Sequence, residues 1–438
     1  MRRDLSRLSS TAHDLLVIGG GIQGACIAWD AAQRGLTVAL VERDDFGSAT
    51  SANSLRIVHG GIRYLARGDL ARMRESIRER SALLRIAPGL VEPLPVLVPT
   101  GPPGVPGRAA FGVALALTHA LSLTRNRRVH PSRHIAAGRI LSRAECLRHF
   151  PALDPASTTG AALWYDARMS HPEGLTLAFV ASAEAAGAQV ANHAEAVEFD
   201  LAADAVRGME VRHVRVRDRL GGDVYDVPAR QVVIAAGPWT ERLSERAGRP
   251  VRPCDSPRHA YAMNLVLGRR VADVAVGLRS SGSAEADPGG SGGRFLFLAP
   301  QARTTLLGTW YGVAKEGDEI ETVLDHGAER FLAEFNRTCP GLALSSGDIV
   351  GRQWGRLPLK AGLERGPAAT LAERPRIGGR GEGGPANLLT VEAVKYTTAR
   401  AVAEMAVDRV VDSLGLPRRR CRTAETALAG AELPVGAE

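Results

Sequence analysis

The sequence predicts a mixed α/β protein, and three observations near its N-terminus carry that prediction. Residues 13–18 form a short apolar run that ends in glycines, as expected for a buried strand. Residues 22–34 read as a buried helix that Gly35 ends, and residues 36–41 form a second apolar run closed by Glu42. Together they predict a strand, a Gly-rich turn, a helix and a second strand in that order.

The remaining chain shows similar patterns at wider spacing. Helical or strand character is predicted for residues 69–87 (helix, stopped by Pro88), 173–186 (helix), 231–236 (strand), 387–391 (strand) and 398–414 (helix). Residues 93–107 are rich in Pro and Gly, which favours a boundary or an irregular crossing. The Gly/Ser-rich residues 279–294 predict a mobile, hairpin-like loop, and residues 378–385 a second Gly-rich loop.

Length and charge set broad limits on function. The 438 residues suffice for one two-lobed enzyme or for two to three domains. Lys and Arg exceed Asp and Glu by 55 − 47 = 8, which favours anionic substrates, lipid headgroups or nucleic acid. An Arg-rich composition with no partner at all accounts for the charge equally well. Beyond charge there is no nucleic-acid-binding motif, so no nucleic-acid partner is expected.

Cysteine usage and the N-terminus indicate the compartment. No CxxC pair occurs, which argues against a zinc site, a disulfide framework or an iron–sulfur cluster, so no metal is expected. Residues 1–13 are polar and Arg-rich without an apolar core, so no signal peptide is expected. No run reaches the ~20 apolar residues of a spanning helix. These observations predict a cytoplasmic protein. The five scattered cysteines are Cys26, Cys146, Cys254, Cys339 and Cys421.

The Gly-rich turn carries a GxGxxG motif made of Gly19, Gly20, Gly21, Ile22, Gln23 and Gly24. Gly19 allows a tight turn, Gly21 lets the backbone approach a pyrophosphate, and Gly24 lets the helix pack close to the sheet. The helix N-terminus offers free N–H groups to phosphate. Glu42 ends the next strand, where its carboxylate can accept hydrogen bonds from a ribose diol. The turn therefore predicts a Rossmann-like dinucleotide-binding unit.

The segment that follows distinguishes flavin from nicotinamide dinucleotides. Residues 49–65, ATSANSLRIVHGGIRYL, continue directly after the second strand instead of another βα repeat. Small hydroxyl residues and adjacent glycines let backbone lie against a flat ring system. His59 and Arg63 are four residues apart, but they need not share a face if Gly61 opens a helix. A capped turn with a surface arginine is the alternative interpretation.

These two segments resemble the N-terminal FAD-binding region of the FAD-dependent glycerol-3-phosphate dehydrogenases, within the D-amino-acid-oxidase-like flavoprotein superfamily. Residues 232–239, VVIAAGPW, resemble a family strand that ends in an A-x-G-P-W turn. Residues 295–310 resemble a strand pair of the substrate lobe, and residues 395–400, KYTTAR, resemble the segment that closes over the isoalloxazine. The resemblance covers residues 12–428.

The resemblance implies an α/β fold, α+β overall, in which a mixed-sheet substrate domain is inserted into a discontinuous FAD-binding domain. The predicted boundaries are 12–92, 151–245 and 385–428 for the FAD-binding domain, 93–150 and 246–384 for the substrate-binding domain, and 1–11 and 429–438 for the tails.

The family resemblance also implies an enzymatic activity. A secondary alcohol, sn-glycerol 3-phosphate, would be oxidised to dihydroxyacetone phosphate by hydride transfer to the flavin, and electrons would pass to quinone or another acceptor. The partners are then a small anionic alcohol and that acceptor; a homo-oligomer is left open. The implied catalytic residues are Arg63, His259 and Lys395, and the implied substrate-binding residues are Arg63, Tyr64, Arg374 and Thr397.

Motif and resemblance together predict the cofactor-binding residues. These are Gly19, Gly21, Ile22, Gln23, Gly24, Glu42, Arg43, Thr50, Ser51, Arg56, His59, Gly60, Gly61, Ala236, Gly237, Lys395, Tyr396 and Thr397.

The sequence departs from the family pattern at three places, and the first of them bears on the phosphate substrate. The family's G-V-R-P-L is here Gly-Arg-Leu-Pro-Leu, with Leu357 at the arginine position and Arg356 one residue earlier. A one-residue shift on a strand reverses the face, so Arg356 is expected to point away from the substrate. Ala393 and Val394 replace two glycines before Lys395. The chain ends at Glu438, so the C-terminal helical domain of many members is expected to be absent.

Residues 109–124, AAFGVALALTHALSLT, are apolar and precede Arg125, Arg127 and Arg128. They are too short to span a bilayer. One interpretation is a helix in the membrane interface, with the arginines at headgroups on the inner face of the cell membrane. The other is a buried helix whose basic end suits its dipole.

Two other functions stay open at this point. One is an amine, amino-acid or 2-hydroxy-acid oxidase of the same superfamily, although HGGIRYL and KYTTAR favour the alcohol dehydrogenase. The other is a non-catalytic FAD-binding subunit of a larger dehydrogenase.

Overall fold

A computed structural model describes residues 3–102, 105–204, 208–249, 259–280, 294–314, 318–360, 371–379 and 383–433. Most of the loop expected at 279–294, and the centre of the one expected at 378–385, lie outside these residues. Within them, the strands are β1 His13–Ile18, β2 Val38–Val41, β3 Ile57–Val58, β4 Val91–Thr100, β5 Arg139–Ser142, β6 Gly160–Met169, β7 Gln189–Ala191, β8 Ala194–Asp204, β9 Gly208–Asp218, β10 Val224–Ile234, β11 His259–Leu267, β12 Ala275–Arg279, β13 Phe295–Pro300, β14 Thr305–Gly312, β15 Ile349–Pro358, β16 Arg376–Gly378 and β17 Leu388–Glu392.

The helices lie between these strands. Over the same described ranges they are α1 Leu5–Ser10, α2 Ile22–Gln33, α3 Leu70–Ile86, α4 Arg108–Leu121, α5 Arg143–His149, α6 Pro172–Ala185, α7 Thr240–Arg246, α8 Ile320–Thr338 and α9 Ala399–Ser413. The helices predicted at 22–34, 69–87, 173–186 and 398–414 are thus confirmed to within one or two residues.

The first sheet has the strand order β16-β17-β10-β1-β2-β7, and the β8–β9 hairpin extends from β10. Its centre is parallel: Val17 lies opposite Leu40 of β2 on one side and Val233 of β10 on the other. Helices α2, α6 and α9 pack together on one face, where the rings of Trp29 and Phe179 meet edge to face at 5.4 Å. Parallel neighbouring strands need a crossover connection, and α2 provides it between β1 and β2. This sheet is therefore the predicted Rossmann-like unit.

The second sheet is mixed and has the order β15-β11-β14-β13-β12-β4-β6-β3, with β5 beside β6. Helix α8 covers it, and Phe331 and Phe335 of that helix are fully buried in a core formed with β11, β13 and β14. The fold class predicted from the sequence, a Rossmann-like domain with a mixed-sheet second domain, is confirmed.

The irregular crossing expected at 93–107 is wrong for its first half. Strand β4 spans ten residues and pairs antiparallel with β6 along its whole length, despite Pro93, Pro95 and Pro99. The three prolines lie two and four positions apart, so their missing N–H groups all fall on one edge of the strand. Leu94, Val96 and Val98 alternate with these positions and direct their N–H groups to the opposite edge.

Sheet membership bears on the predicted domain boundaries. Strand β6 lies in the second sheet, although it falls in the segment 151–245 predicted for the cofactor domain. Strand β16 lies in the first sheet, next to β17. Helix α1 falls in the predicted tail 1–11, and its Leu5 and Leu8 are buried against the first sheet. The boundaries themselves stay a prediction.

Candidate active site

A cavity of about 410 Å³ lies where the carboxyl ends of β1, β2 and β10 face the second sheet. Open α/β sheets bind ligands in the crevice outside the carboxyl ends of their strands. Residues of both sheets line the cavity, among them Gly21 and Glu42 from the first and Asn264 and Leu357 from the second. The site is therefore an interdomain cleft.

The three glycines of the first motif have separate roles. Gly19 has a φ of +109°, and a Cβ there would lie 2.7 Å from the Ala235 carbonyl oxygen. A Cβ on Gly24 would lie 1.8 Å from the Gly19 oxygen, so this glycine brings α2 against the turn. A Cβ on Gly21 would meet only the Ser51 hydroxyl, at 3.1 Å. The backbone of Gly21 thus borders open cavity, as a pyrophosphate site requires.

Glu42 follows β2 directly and lies beside this turn. One carboxylate oxygen accepts the Gly20 N–H at 2.6 Å and the other accepts the Asp44 N–H at 2.9 Å. A carboxylate has about four acceptor positions, so two remain for a diol. Burial raises the pKa of Glu42, and the two backbone N–H groups oppose this shift.

The hydroxyl-rich loop after β2 also contacts the cavity. Ser51 accepts the Ile22 N–H at 3.0 Å, at the start of α2, and Thr50 lines the cavity beside the backbone of Arg356. The predicted cofactor residue Arg56 behaves differently. It adopts a positive φ of 62° and donates to the Ser170 carbonyl at 3.1 Å, and it is not among the cavity-lining residues.

Trp239 follows the Ala236–Gly237 turn and stands between two guanidinium groups. The Cζ atom of Arg43 lies 4.9 Å from the ring centroid and that of Arg356 lies 5.3 Å from it. All three side chains border the cavity. Arg356 pairs opposite Tyr261, whose side chain faces the core of the second sheet, whereas Leu357 pairs opposite Ala260. Arg356 nevertheless reaches the cavity, because its guanidinium stacks on Trp239, so the expectation that it points away from the site is wrong.

Tyr64 is the centre of a cationic cluster. Its ring is buried, and around it lie the Lys395 ammonium at 4.6 Å, the Arg72 guanidinium at 5.1 Å and the Arg63 guanidinium at 5.3 Å from its centroid. The Lys395 ammonium also donates a hydrogen bond to the Tyr64 hydroxyl. Burial alone would raise the pKa of Tyr64, but Arg63 and Lys395 hold that pKa below its usual value.

The same cluster affects its neighbours. Burial lowers the pKa of Lys395, and the hydrogen bond with Tyr64 opposes that shift. Burial, with Arg63 and Lys395 adding to it, lowers the pKa of His59 well below its ordinary value. His59 is therefore a neutral imidazole near pH 7, and its ring meets that of Tyr64 edge to face at 6.1 Å.

The structure brings some predicted site residues to the cavity and leaves others out. His259, Lys395, Tyr396, Gln23, Ala236 and Gly237 line it. Arg374 is exposed. The predicted residues that are not among its lining residues are Gly24, Arg56, His59, Gly60, Gly61, Arg63, Tyr64, Arg374 and Thr397.

The sequence analysis did not predict the cavity-lining residues that the second sheet contributes. Asn264, which is 2% exposed, accepts a hydrogen bond from the Thr309 hydroxyl at 2.9 Å and donates to the Asn53 carbonyl at 3.3 Å. Tyr311 of the same sheet also lines the cavity. The signal was a lone amide in the apolar run AYAMNLVL, where a buried polar residue needs partners.

Such a cleft fits a dinucleotide at one end and a small substrate beside Lys395 at the other. A Gly-rich turn at a helix N-terminus, an acidic residue at the next strand end and a lysine at the far end together define a nucleotide-cofactor-dependent oxidoreductase.

Comparison with known proteins makes this assignment specific. The model of the FAD dependent oxidoreductase family, DAO, matches residues 14–409, so the chain belongs to that family. It is 29% identical to a glycerol-3-phosphate dehydrogenase of Synechocystis sp. over 98% of this chain and 75% of that protein. It is 31% identical to a probable mitochondrial glycerol-3-phosphate dehydrogenase of Caenorhabditis elegans, over 95% of this chain.

Structural comparison agrees. The glycerol-3-phosphate dehydrogenase of Bacillus halodurans, solved in complex with FAD, superposes with a TM-score of 0.71 and 25% identity, over 98% of this chain and 70% of that one. An L-alpha-glycerophosphate oxidase from Mycoplasma pneumoniae shares the fold, with a TM-score of 0.60 and 14% identity. This chain spans only 55% of the length of the nematode protein. FAD is the cofactor of this protein, and the resemblance inferred from the motifs is confirmed.

Proposed function

We propose that this protein oxidises the secondary alcohol of sn-glycerol 3-phosphate to the ketone of dihydroxyacetone phosphate. The observation that carries the proposal is the cationic cluster around Tyr64, from which Lys395 reaches the cavity. An anionic alcohol needs such charge to be held and oriented. The names of the related dehydrogenases support the same substrate.

Different residues of the chain bind the substrate's charge and take its proton in this reaction. FAD held at the Gly21 turn and Glu42 would supply the acceptor for the hydride of the substrate carbon. Arg63 and Lys395 grip the substrate's negative charge, and Lys395 also balances charge at the flavin edge. His259, which lines the cavity, takes the hydroxyl proton, so that one hydride and one proton leave the alcohol together.

Leu357 cannot bind the substrate phosphate, so that charge must be bound by other residues such as Arg63. Leu357 lines the cavity with an apolar side chain at the position where the family pattern has arginine. Arg356 beside it is stacked on Trp239. Lys395 lines the cavity and Arg63 shares the cluster around Tyr64 without being among the lining residues, so we assign the binding of the phosphate to Lys395 together with Arg63.

A turnover screen tests the proposed function. The purified, yellow holoprotein should reduce a dye acceptor with glycerol 3-phosphate, and much more slowly with lactate, sarcosine or D-alanine. The cationic cluster is the reason, because it favours the doubly charged phosphate ester over the singly charged lactate and over the zwitterions sarcosine and D-alanine. Dye reduction is followed by absorbance, and protein without substrate is the control. Preference for sarcosine or D-alanine would favour an amino-acid oxidase, and inactivity with every substrate would favour a non-catalytic subunit.

Helix α4 supports a second, cellular aspect of the proposal. Among its described residues only Leu115 is buried, whereas Val113 is 62% exposed and Leu117 is 50% exposed. Leu123, just beyond the helix, is 71% exposed. The buried-helix interpretation of residues 109–124 is therefore not supported, because most of the apolar side chains face outward.

We propose that α4 rests on an anionic membrane surface on the cytoplasmic side, where a lipid-soluble quinone could accept the electrons. Exposed Arg127 and Arg128 follow the helix and suit anionic headgroups. Arg125 has a structural role instead, since its Nε donates to the Ile135 carbonyl at 2.9 Å. None of the described helices is both long and apolar enough to cross a membrane.

Vesicle sedimentation tests this surface. The protein should co-sediment with phosphatidylglycerol vesicles at low salt and be released at high salt, because salt screens the arginines. Val113→Ser with Leu117→Ser should abolish binding by removing the apolar anchor, and Arg127→Gln with Arg128→Gln should remove the salt dependence. Val350→Ser, at an equally exposed valine on β15, is the matched control and should bind normally. Unaltered binding of the α4 variants would contradict the proposal.

A further inference from the structure

The HGG turn of residues 59–61 is held from the second sheet by one carboxylate. Asp166 lies on β6 and is 6% exposed. Its Oδ1 accepts the Gly60 N–H at 2.5 Å and an Arg80 guanidinium N–H at 2.7 Å. Its Oδ2 accepts the Trp164 indole N–H at 3.1 Å. Three donors from three parts of the chain therefore meet at this side chain.

Arg80 completes the anchor. It is 3% exposed, lies on α3, and donates from the same nitrogen to the Tyr165 carbonyl at 2.9 Å. A Cβ on Gly60 would lie 2.3 Å from that nitrogen. The glycine is therefore required for the guanidinium and the carboxylate to reach the turn together.

The anchored amide lies directly in front of the substrate-binding residues. Gly61 has a φ of +80° and begins the short 3-10 helix Ile62–Arg67, which carries Arg63 and Tyr64. A Cβ on Gly61 would lie 2.6 Å from the Tyr64 ring. The turn is thus packed tightly between its anchor on one side and Tyr64 on the other. A displacement of the Gly60 amide would move the helix that carries Arg63.

We propose that Asp166 is a positioning residue: by holding the Gly60 amide it sets the placement of His59, Arg63 and Tyr64 relative to the cavity. Asp166 is not among the residues that line the cavity, so it acts through the turn. The kinetic consequence rests on the proposed function, whereas the order of the turn can be measured without turnover.

A purely structural role is the competing explanation. Asp166 balances the buried Arg80, and loss of one partner of a buried ion pair is destabilising wherever the pair lies. Replacing both partners with apolar residues of similar size is often tolerated. The double replacement thus removes the charge imbalance while leaving the Gly60 N–H without its acceptor, which separates the two roles.

The experiment compares Asp166→Leu, Arg80→Met and the double variant as FAD holoproteins. The Tm is measured by thermal unfolding, and hydrogen–deuterium exchange is followed in peptides covering residues 57–66. The value of kcat/KM for glycerol 3-phosphate is corrected for bound FAD. The matched control is Asp30→Leu with Arg34→Met, a buried pair with a 2.6 Å contact at the C-terminal end of α2, in which Arg34 also pairs with Asp408.

The Asp166→Leu variant should lose Tm, and the double variant should recover most of it. Exchange in residues 57–66 should stay faster than in the wild type in both, and kcat/KM should fall on the order of 100-fold in both, because small displacements of positioning groups have effects of that size. The control pair should alter neither the turn's exchange nor kcat/KM.

Recovery of exchange and kcat/KM together with Tm in the double variant would overturn the proposal, since Asp166 would then only balance charge. Fast exchange with unchanged kcat/KM would also overturn it. If the wild type does not oxidise glycerol 3-phosphate, the proposed function fails, but the exchange of residues 57–66 still decides whether Asp166 orders the turn.

Discussion

Arg63→Ala is expected to lower kcat/KM for glycerol 3-phosphate by roughly 30-fold to several thousandfold, with bound FAD retained. The guanidinium lies on the 3-10 helix after the HGG turn, 5.3 Å from the Tyr64 ring, and is free of ion pairs among the described residues. Removing one partner of a hydrogen-bonded charge pair that the ligand buries costs about 2–5 kcal/mol. The loss should appear in steady-state kinetics, with the flavin spectrum unchanged.

Two arginines provide the comparison. Arg67→Ala removes an exposed charge from the same 3-10 helix, where its partner is Glu373, and should leave kcat/KM nearly unchanged. Arg356→Ala should cost far less than Arg63→Ala, because Arg356 is stacked on Trp239. Equal large losses from Arg63 and Arg356 would mean that Arg356 takes the place of the family arginine. No loss from Arg63→Ala in an active enzyme would reject the anionic alcohol as substrate.

Gly21→Leu is expected to produce a folded protein that does not retain FAD. Gly21 caps α2 with φ −72° and ψ 179°, a conformation that any residue can adopt. The side chain would meet only Ser51 before entering the cavity, where it would occupy the pyrophosphate position. The ratio of flavin to protein absorbance measures the loss, and the Tm of the apoprotein shows that the fold persists.

Gly107 offers a closely matched control for this change. It caps α4 with φ −70° and ψ 170°, and a Cβ there would meet nothing within 4 Å. Gly107→Leu should therefore keep its FAD. Full flavin content in the Gly21→Leu protein would contradict the assignment of this turn to the pyrophosphate. Gly24 is unsuitable for the test, because a Cβ there would collide with the Gly19 carbonyl and disturb the fold.

The sequence by itself determined the local part of this protein. Gly19, Gly21, Gly24 and Glu42 could be assigned because their roles depend on a strand, a turn and a helix that follow one another directly. The positions of the helices could also be predicted from periodicity, because the apolar residues of a buried helix face recur three and four positions apart. Lys395 was predicted from the resemblance of residues 395–400 to a family segment, and it lines the cavity.

Only the tertiary structure decided what depends on distant segments. The prolines of β4 suggested an irregular crossing until the pairing with β6 showed which edge of the strand they occupy. Arg56 resembled a cofactor residue, but its guanidinium donates to Ser170, more than one hundred positions away in the chain. Asp166 and Asn264 carry no local motif, because their partners come from other strands and loops. Periodicity and spacing record neighbours along the chain, whereas a buried carboxylate or amide is explained only by the donors and acceptors that folding brings to it.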